Sequence, residues 1–290
     1  MSWRAVTAIP KLAPRAADGH KGLYGSVLVV AGSRGMAGAA ALCGASALRS
    51  GAGKVRVACA QEVQPTVASF EPCYMTYPLA SDDEGVIKFE SARRSLSKLM
   101  LEADVLAVGP GLGRSEDLDA LAAWLVEEAT LPTVLDADAL NALAGRPEVW
   151  KNLTRPVVIT PHPGEFARLT GLSTSEIQGD RAGCAAAFAA AHPHLVVVLK
   201  GAGTIVTDGA RVFTNTTGNP GMATGGAGDV LTGVVAALIG QNLEPFDAAV
   251  LATYIHGLAG DVARENSGEV GMIAGDIVDA LADAFYHWQA

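Results

Sequence analysis

A glycine-rich segment in the last quarter of the chain has the residue types needed to hold an anion and to accept a proton. It reads Gly225-Gly226-Ala227-Gly228-Asp229 and leads into an apolar stretch with helical spacing. Glycines let backbone N–H groups turn toward a bound anion, and a helix N-terminus adds partial positive charge. We therefore predict an anion hole formed by Gly226, Ala227 and Gly228.

Asp229 falls in the first turn of that predicted helix. A carboxylate is a poor ligand for phosphate, so we predict that Asp229 is a base that takes the proton of a hydroxyl attacking a phosphoryl group. The helix dipole should lower its pKa, and the weak base that results is tolerable because the proton can leave late in a loose transition state. The alternative is a glycine-rich turn in which Asp229 is an ordinary helix residue.

A lysine at the end of an apolar run is the second candidate. The segment LKGAGT at 199–204 places Lys200 before small residues that allow a nucleotide to approach the backbone. The ammonium of Lys200 can offer a point charge to a nucleotide phosphate. A tight hairpin turn with a solvated Lys200 accounts for the same residues, and both descriptions can hold together.

Three further loops follow apolar runs: Ser33 to Ala40, GPGLGR at 109–114 and TPHPGE at 160–165. The glycines near residue 35 are spaced G-x-x-G-x-x-G, and no acidic residue follows to bind a ribose, which excludes a dinucleotide-binding dehydrogenase fingerprint. His162 lies between two prolines and is either a ligand contact or a turn histidine. For His256 and Asp261 on a later helix, we expect a packing role.

The elements that position these loops indicate an α/β fold. Continuous Val/Ile/Leu runs between helical stretches are typical of parallel strands buried on both faces, and ligands of such sheets bind at the carboxyl ends of the strands. The predicted strands are 26–32, 54–60, 105–111, 133–139, 157–164 and 195–203. Three helices close the chain at 227–240, 247–266 and 275–288, and the polar segment 79–90 is predicted to be a surface excursion.

Bulk composition limits the classes of partner. With 290 residues, half of them hydrophobic, the chain suits one domain spanning 1–290. No apolar run approaches the roughly 20 residues of a membrane span, and no secretory signal precedes the fold, so we expect a cytoplasmic protein that binds no membrane. A net charge of −9 without a basic run disfavours nucleic acid. Four widely spaced cysteines predict small buried thiols instead of a zinc site.

The motifs together carry a resemblance to a known family. In order they are HKG, GSRGMAGAA, ALRSGAG, GPGLG, DADALN, TPHPGE, KGAGT and GNPGMATGGAGDVLTG. From about His20 to the C-terminus the chain resembles the ADP/ATP-dependent NAD(P)H-hydrate dehydratases, a carbohydrate kinase-like branch of the ribokinase-like superfamily. The resemblance implies a three-layer α/β/α fold with a mostly parallel central sheet. Some relatives carry a fused epimerase domain, and none is expected here.

The implied activity is nicotinamide cofactor repair. The added hydroxyl of the S epimer of hydrated NADH or NADPH is phosphorylated by ADP or ATP, and loss of phosphate restores NAD(P)H. Mg²⁺ would bridge the nucleotide phosphates without a dedicated protein cage, so no residue is assigned as a metal ligand. Relatives tend to form homo-oligomers, and the resemblance implies a tetramer.

The resemblance also implies site residues by position. The hydrate would contact Ala39 or Ala40, Gly113, His162 and Asp229. The nucleotide would contact Lys200, Gly201, Ala202, Gly203, Thr204 and Gly228. Many relatives have Thr, Met or Ser at the position of Ala227, but an anion hole needs only its backbone N–H.

Two other functions fit part of the pattern. The glycine loop equally suits a ribokinase-like kinase of a small alcohol, such as a hydroxymethylpyrimidine or hydroxyethylthiazole, whose product keeps its phosphate. A nucleotide-binding regulatory protein without catalysis is the third, although an intact Asp229 argues against it.

Overall fold

The computed structural model describes residues 3–151 and 153–289, which contain one ten-stranded sheet between two layers of helices. The strands are β1 (Arg4–Val6), β2 (Ser26–Val30), β3 (Lys54–Ala60), β4 (Met75–Leu79), β5 (Val105–Val108), β6 (Thr133–Leu135), β7 (Val157–Ile159), β8 (Leu195–Leu199), β9 (Ile205–Thr207) and β10 (Arg211–Thr214). Their order across the sheet is β1-β10-β9-β8-β7-β6-β5-β2-β3-β4. This is the predicted α/β/α arrangement with a mostly parallel sheet.

Eleven α-helices accompany the described strands. They are α1 (Ala37–Arg49), α2 (Gln64–Phe70), α3 (Phe89–Met100), α4 (Glu116–Glu128), α5 (Ala137–Leu143), α6 (Pro163–Thr170), α7 (Thr174–Gly179), α8 (Arg181–Ala191), α9 (Ala227–Gly240), α10 (Pro245–Gly271) and α11 (Ala274–Gln289). Short 3-10 helices lie at Lys21–Leu23, Pro147–Trp150 and Pro220–Met222. Helices α1, α9, α10 and α11 contact one another and form one layer, whereas α3 to α8 contact one another in sequence order.

The central strands form because their residues are apolar on both faces. All five residues of β2 and of β8 are buried, which a sheet covered by helices on both sides requires. Strand β2 pairs in parallel with both β3 and β5, with Val27 opposite Val55 and Val105. Only β9 runs antiparallel to its neighbours β8 and β10 among the described strands. The parallel strands therefore bring their carboxyl ends to one edge.

All six predicted strands and the three C-terminal helices are confirmed, but five strands end earlier than predicted. Asp136 begins a helix directly after β6, and Pro163 begins another shortly after β7. The hairpin part of the alternative at residues 200–204 is also confirmed, because this turn joins β8 to the antiparallel β9. Its other part, a solvated Lys200, is wrong, since that side chain is only 20% exposed and is paired with Asp136. Strands β1, β4, β9 and β10 were not predicted. Each is short, and β4 contains Pro78, which is tolerated at a sheet edge.

Two expectations about burial hold only in part. The segment 79–90 is anchored in the core, since Leu79 and Ile87 are fully buried and Ile87 pairs with Ser81. Cys43 and Cys59 are buried thiols, but Cys73 is exposed and Cys184 is half-buried. Composition alone does not distinguish these positions, because burial depends on the element that carries the residue: Cys59 lies in the central strand β3, whereas Cys73 lies in the turn between α2 and β4.

The small-residue helix α1 lies against the glycine-containing helix α9. A side chain at Gly233 would overlap Ser46 and the carbonyl of Cys43, so the two helices meet at backbone distance. This close packing was predicted for the run of small residues after Ala41. None of the described helices is long and apolar enough to cross a bilayer. The contact between α1 and α9 places the start of α9 at the edge where the strands end.

Candidate active site

Loops after the parallel strands β2, β5, β6, β7 and β8 meet at one edge of the sheet, together with the first turn of α9. Lys200 follows β8 directly and contacts residues from the segments after β6 and β7. Its Nζ donates to Asp136 Oδ1 at 2.6 Å and lies 3.8 Å from Glu165 Oε2. Burial disfavours the ammonium, but the carboxylates of Asp136 and Glu165 hold the pKa of Lys200 above its ordinary value. Lys200 is therefore a charged group.

Asp136 is a site residue that the sequence did not reveal. It follows β6 directly, begins α5 and is 1% exposed. Its second carboxylate oxygen accepts a hydrogen bond from Thr232 Oγ1 on α9 at 2.8 Å. A Cβ added at Gly228 would lie 3.3 Å from Lys200 Nζ and 3.7 Å from Asp136 Oδ2. The ion pair therefore stands beside the predicted anion hole, and an acidic residue directly after a strand was the available signal.

Asp229 occupies the predicted first turn of α9, and its side chain is mostly buried. Within the described residues, no donor is hydrogen-bonded to its carboxylate. Burial and the neighbouring carboxylates of Asp136, Asp138 and Glu165 outweigh the lowering effect of Lys200, and they raise the pKa of Asp229 to about 7. The expectation that the helix dipole lowers this pKa is wrong, because desolvation and like charges are stronger. A carboxylate with this pKa is able to accept a proton near neutral pH.

The glycine loop has the backbone geometry of an anion site. Gly226 has a φ of +93°, a left-handed conformation that favours glycine, and no side chain caps α9. The N–H of Ala227 makes a long contact of 3.4 Å to the carbonyl of Thr224. Across residues 3–151 and 153–289, no acceptor is hydrogen-bonded to the N–H groups of Gly226 and Gly228. These donors are available to an anion.

A cleft of about 670 Å³ opens beside the loop, a volume that matches a nucleotide-sized ligand. All six residues predicted to contact the nucleotide line it: Lys200, Gly201, Ala202, Gly203, Thr204 and Gly228. The guanidinium of Arg181 supports this turn, donating to the carbonyls of Leu199 at 2.9 Å and Lys200 at 3.2 Å. No pattern in the sequence points to Arg181, because these hydrogen bonds depend on the packing of α8 against β8.

His162 is a capping residue at the start of α6. Its Nδ1 accepts from the backbone N–H of Gly164 at 3.0 Å and of Glu165 at 3.4 Å. In return, Glu165 Oε2 accepts from the backbone N–H of His162 at 2.8 Å. The turn-histidine alternative is therefore confirmed, although the ring is half-exposed and lines the cleft. Contact with a ligand stays a prediction for its Nε2 side.

The other predicted hydrate contacts lie where the loop after β5 meets α1. The N–H of Gly113 donates to Asp138 Oδ2 at 2.8 Å. Gly111 packs so tightly against Met36 and Ala39 that a Cβ there would lie 2.9 Å from the methyl of Ala39. Ala40 is fully buried. The structure brings Ala39 and Gly113 to one surface, and the charge of Asp138 links that surface to Asp229.

The two helix residues expected to serve packing behave differently. Asp261 accepts from the N–H of Gly218 at 2.9 Å and from Asn219 Nδ2 at 3.0 Å, so it fastens the loop that borders the cleft. The packing expectation is wrong for Asp261. His256 lines the cleft, and its buried Nε2 has no partner among the described residues. Burial lowers the pKa of His256 to about 4, which keeps the ring neutral.

The possible protein ligands of a metal ion are the side chains of His, Cys, Asp and Glu. The part of the chain that the structure describes contains no group of three His, Cys, Asp or Glu side chains that could hold an ion. Mg²⁺ dehydrates reluctantly and is usually held through substrate phosphates.

These features define a ribokinase-like α/β protein with a nucleotide-sized cleft at the carboxyl ends of its strands. The Enterococcus faecalis ribokinase-like superfamily protein has the same fold, with a TM-score of 0.80 at 26% identity, covering 96% of this chain and 92% of that one. The chain belongs to the NAD(P)H-hydrate dehydratase family, whose model matches residues 27–283.

Relatives of known name support this membership. The chain is 46% identical to the bifunctional NAD(P)H-hydrate repair enzyme of Moorella thermoacetica over 93% of its own length and 51% of that protein. It therefore spans about half the length of such relatives. It is 37% identical to the ADP-dependent (S)-NAD(P)H-hydrate dehydratase of Neisseria meningitidis, covering 92% of this chain and 86% of that one.

Solved structures of related proteins also resemble this chain. The ADP/ATP-dependent NAD(P)H-hydrate dehydratase of Bacillus subtilis, co-crystallized with ATP/Mg²⁺, has a TM-score of 0.81 at 32% identity, covering 96% of this chain and 94% of that one. Hydroxyethylthiazole kinase of Pyrococcus horikoshii shares the fold alone, with a TM-score of 0.59 at 17% identity over 91% of this chain and 88% of that one.

Proposed function

We propose that the protein dehydrates the S epimer of hydrated NADH or NADPH at the expense of ADP or ATP. The single observation that carries the proposal is Asp229, a mostly buried carboxylate with a pKa near 7, at the start of a helix whose free N–H groups face a nucleotide-sized cleft. Membership in the NAD(P)H-hydrate dehydratase family supplies the substrate class. The protein is then a kinase in its machinery and a lyase in its outcome.

The chemistry has two steps. Asp229 takes the proton of the added ring hydroxyl as its oxygen attacks the terminal phosphoryl group of the nucleotide. The bond between that phosphorus and the nucleotide oxygen breaks, and the shortened nucleotide leaves. The new phosphate ester then departs as inorganic phosphate with a proton from the neighbouring ring carbon, which restores the double bond of NAD(P)H. The backbone donors of Gly226, Ala227 and Gly228 stabilise the charge on the transferring group.

Two sets of residues bind the reactants. We assign the hydrate to Ala39, Gly113, His162 and Asp229, and we drop Ala40 because it is fully buried. We assign the nucleotide to Lys200, Gly201, Ala202, Gly203, Thr204 and Gly228. Lys200 is the only cation among them, and its Nζ stands close enough to Gly228 to neutralise the phosphoryl group at the anion hole.

Mg²⁺ fits this site as an ion carried by the nucleotide, because the described residues offer no cage of their own. When bound, it would neutralise phosphate charge. The residues of the chain that hold the nucleotide phosphates would therefore also keep Mg²⁺ in the site.

A direct assay tests the proposed function. Purified protein receives hydrated NADH or NADPH, Mg²⁺ and either ADP or ATP, while reduced-nicotinamide absorbance and free phosphate are followed together. Equal rises of both signals are expected, and Asp229→Asn serves as the inactive control. Phosphate retained on an alcohol product would instead identify a small-alcohol kinase. Absence of both signals in the wild-type protein would exclude the dehydratase.

Assembly is a separate part of the proposal. We propose a homo-oligomer, with a tetramer expected, in which the single domain acts in the cytoplasm. Exposed apolar side chains at Val270, Ile273 and Tyr286, around the start and end of α11, support an interface on that side. Sedimentation equilibrium gives the mass of the assembly, and a monomer would contradict this part alone.

A further inference from the structure

Asp136 joins the two halves of the site, the nucleotide turn after β8 and the helix that carries Asp229. We propose that Asp136 is a positioning residue that holds the ammonium of Lys200 against the start of α9. The inference rests on the proposed function for its kinetic meaning. It does not depend on that function for its structural test.

The geometry uses both oxygens of one carboxylate. Oδ1 accepts from Lys200 Nζ at 2.6 Å, and Oδ2 accepts from Thr232 Oγ1 at 2.8 Å. Thr232 lies on α9 three residues after Asp229, and its hydroxyl also contacts the carbonyl of Gly228 at 3.2 Å. Asp136 is itself fixed, since its backbone N–H donates to Val108 at 3.0 Å. The carboxylate is therefore a rigid link between the sheet edge, the lysine and the helix.

A purely structural account of this pair is weak. Asp136 is almost completely buried, and burying two opposite charges usually gains less stability than apolar residues of similar volume would. A long lysine side chain without a partner would also extend into the cleft and reach phosphates at several positions. Pairing with Asp136 limits the ammonium to the side of Gly228. The buried pair therefore fixes the position of the ammonium group, although its desolvation is unfavourable for stability.

The same carboxylate affects the base. Groups that face Asp229 come from several elements: Asp136 and Asp138 at α5, Glu165 at α6, and Lys200 after β8. The thiol of Cys43 on α1 lies in the field of Asp229 and Asp136, and the ring of His256 on α10 lies in the field of Lys200, but burial keeps both uncharged. Removing the charge of Asp136 removes a like charge beside Asp229 and leaves Lys200 with the more distant carboxylate of Glu165. Asp229 then becomes more acidic and a weaker base.

The test compares Asp136→Asn with Thr232→Val. The first removes the charge and keeps the shape, whereas the second removes one hydrogen bond and keeps the ion pair. Aspartate-selective ¹³C NMR, assigned with Asp229→Asn, follows the titration of Asp229 without substrate. We expect Asp136→Asn to lower the pKa of Asp229 by about one unit and Thr232→Val to leave it within a few tenths.

Kinetics give the second readout. Asp136→Asn is expected to reduce kcat by about 10-fold to 100-fold while the KM for the nucleotide changes less than threefold, because a misplaced cation affects the transition state more than binding. An unchanged titration of Asp229 in Asp136→Asn would overturn the proposal. The NMR result stands even when the wild-type protein does not turn over the hydrate, so failure of the proposed function is distinguishable.

A second pair of variants covers the case in which Asp136→Asn does not fold. Lys200→Met is compared with the double variant Lys200→Met/Asp136→Asn, in which no buried cation lacks a partner. The pKa of Asp229 should be higher in Lys200→Met than in the double variant, since only the former keeps the Asp136 charge. Equal values in the two variants would contradict the proposal.

Discussion

The backbone N–H of Gly113 donates to the carboxylate of Asp138 at 2.8 Å. This bond joins the loop after β5, which we propose to contact the hydrate, to the helix that follows β6. It also means that the N–H of Gly113 is already used. A substrate contact at Gly113 therefore involves its carbonyl or the open space beside its Cα, where no atom lies closer than 3.5 Å to an added Cβ.

The first prediction follows from that bond. Asp138→Ala removes the acceptor and should raise the KM for the hydrate several-fold, with a loss of about 1–2 kcal/mol in the free energy of unfolding. Asp138→Asn is the matched control, since its amide oxygen can still accept from Gly113. Steady-state kinetics and urea unfolding measure both effects. Equal KM values for the Ala and Asn variants would show that the bond does not position the loop.

The second prediction concerns turnover at Asp229. Asp229→Asn should keep nucleotide affinity and reduce kcat by a factor on the order of 10² to 10⁴, the usual contribution of a positioned base. In the wild-type protein the base form increases as the pH rises through about 7, so kcat/KM should rise across the same range. Calorimetric titration with ADP and a pH–rate profile measure these quantities. Near-normal turnover of the variant would refute the assigned role.

The third prediction concerns stability at the same residue. The folded carboxyl keeps its proton up to about pH 7, whereas an unperturbed aspartate loses it near pH 3.8. Ionisation of Asp229 therefore opposes folding increasingly between these values and fully above pH 7. Asp229→Asn should be more stable than wild type at pH 8, by up to about 4 kcal/mol, and close to it at pH 4. Thermal unfolding at both pH values measures the difference, and a pH-independent gain would contradict the explanation.

The fourth prediction uses two glycines of one loop. A Cβ at Gly228 would lie 3.3 Å from Lys200 Nζ, inside the region where a phosphate is proposed to bind. Gly228→Ala should weaken ADP binding about 10-fold, a loss of about 1.4 kcal/mol. Gly225→Ala is the control, because nothing lies within 4 Å of its added Cβ. Calorimetric Kd values for ADP decide the matter, and equal losses in both variants would place the phosphate elsewhere.

The sequence predicts the central part of this fold because its strands, β2, β3, β5, β6, β7 and β8, consist mostly of apolar residues. The edge strands escape such reasoning: β1 has three residues, and β4 contains Pro78 and half-exposed side chains. Their pairing depends on the sheet already being present. A local sequence pattern shows which conformation a segment favours by itself. The outer strands form only because a neighbouring strand is present to pair with them.

The candidate site likewise contains some features that local sequence reveals and others that depend on contacts between distant residues. The nucleotide turn at Lys200 and the glycine loop before Asp229 are local patterns, and the structure brings them together as predicted. Asp136 was missed because its partner Lys200 is 64 residues away, a separation that no local pattern reveals. The direction of the Asp229 pKa was wrong for a related reason. Its helix is visible in the sequence, but the carboxylates that surround it come from other helices and strands.

Helix α9 is held rigidly in the core of the protein. From Val230 to Gly240 every residue of the helix is buried, and Gly233 fixes it against α1 at backbone distance. A close-packed interior of this kind resists sliding. We therefore expect the carboxylate of Asp229, our proposed base, to stay fixed relative to the sheet. We expect the exposed turns around the cleft and the substrates to make the adjustments that align the reactants.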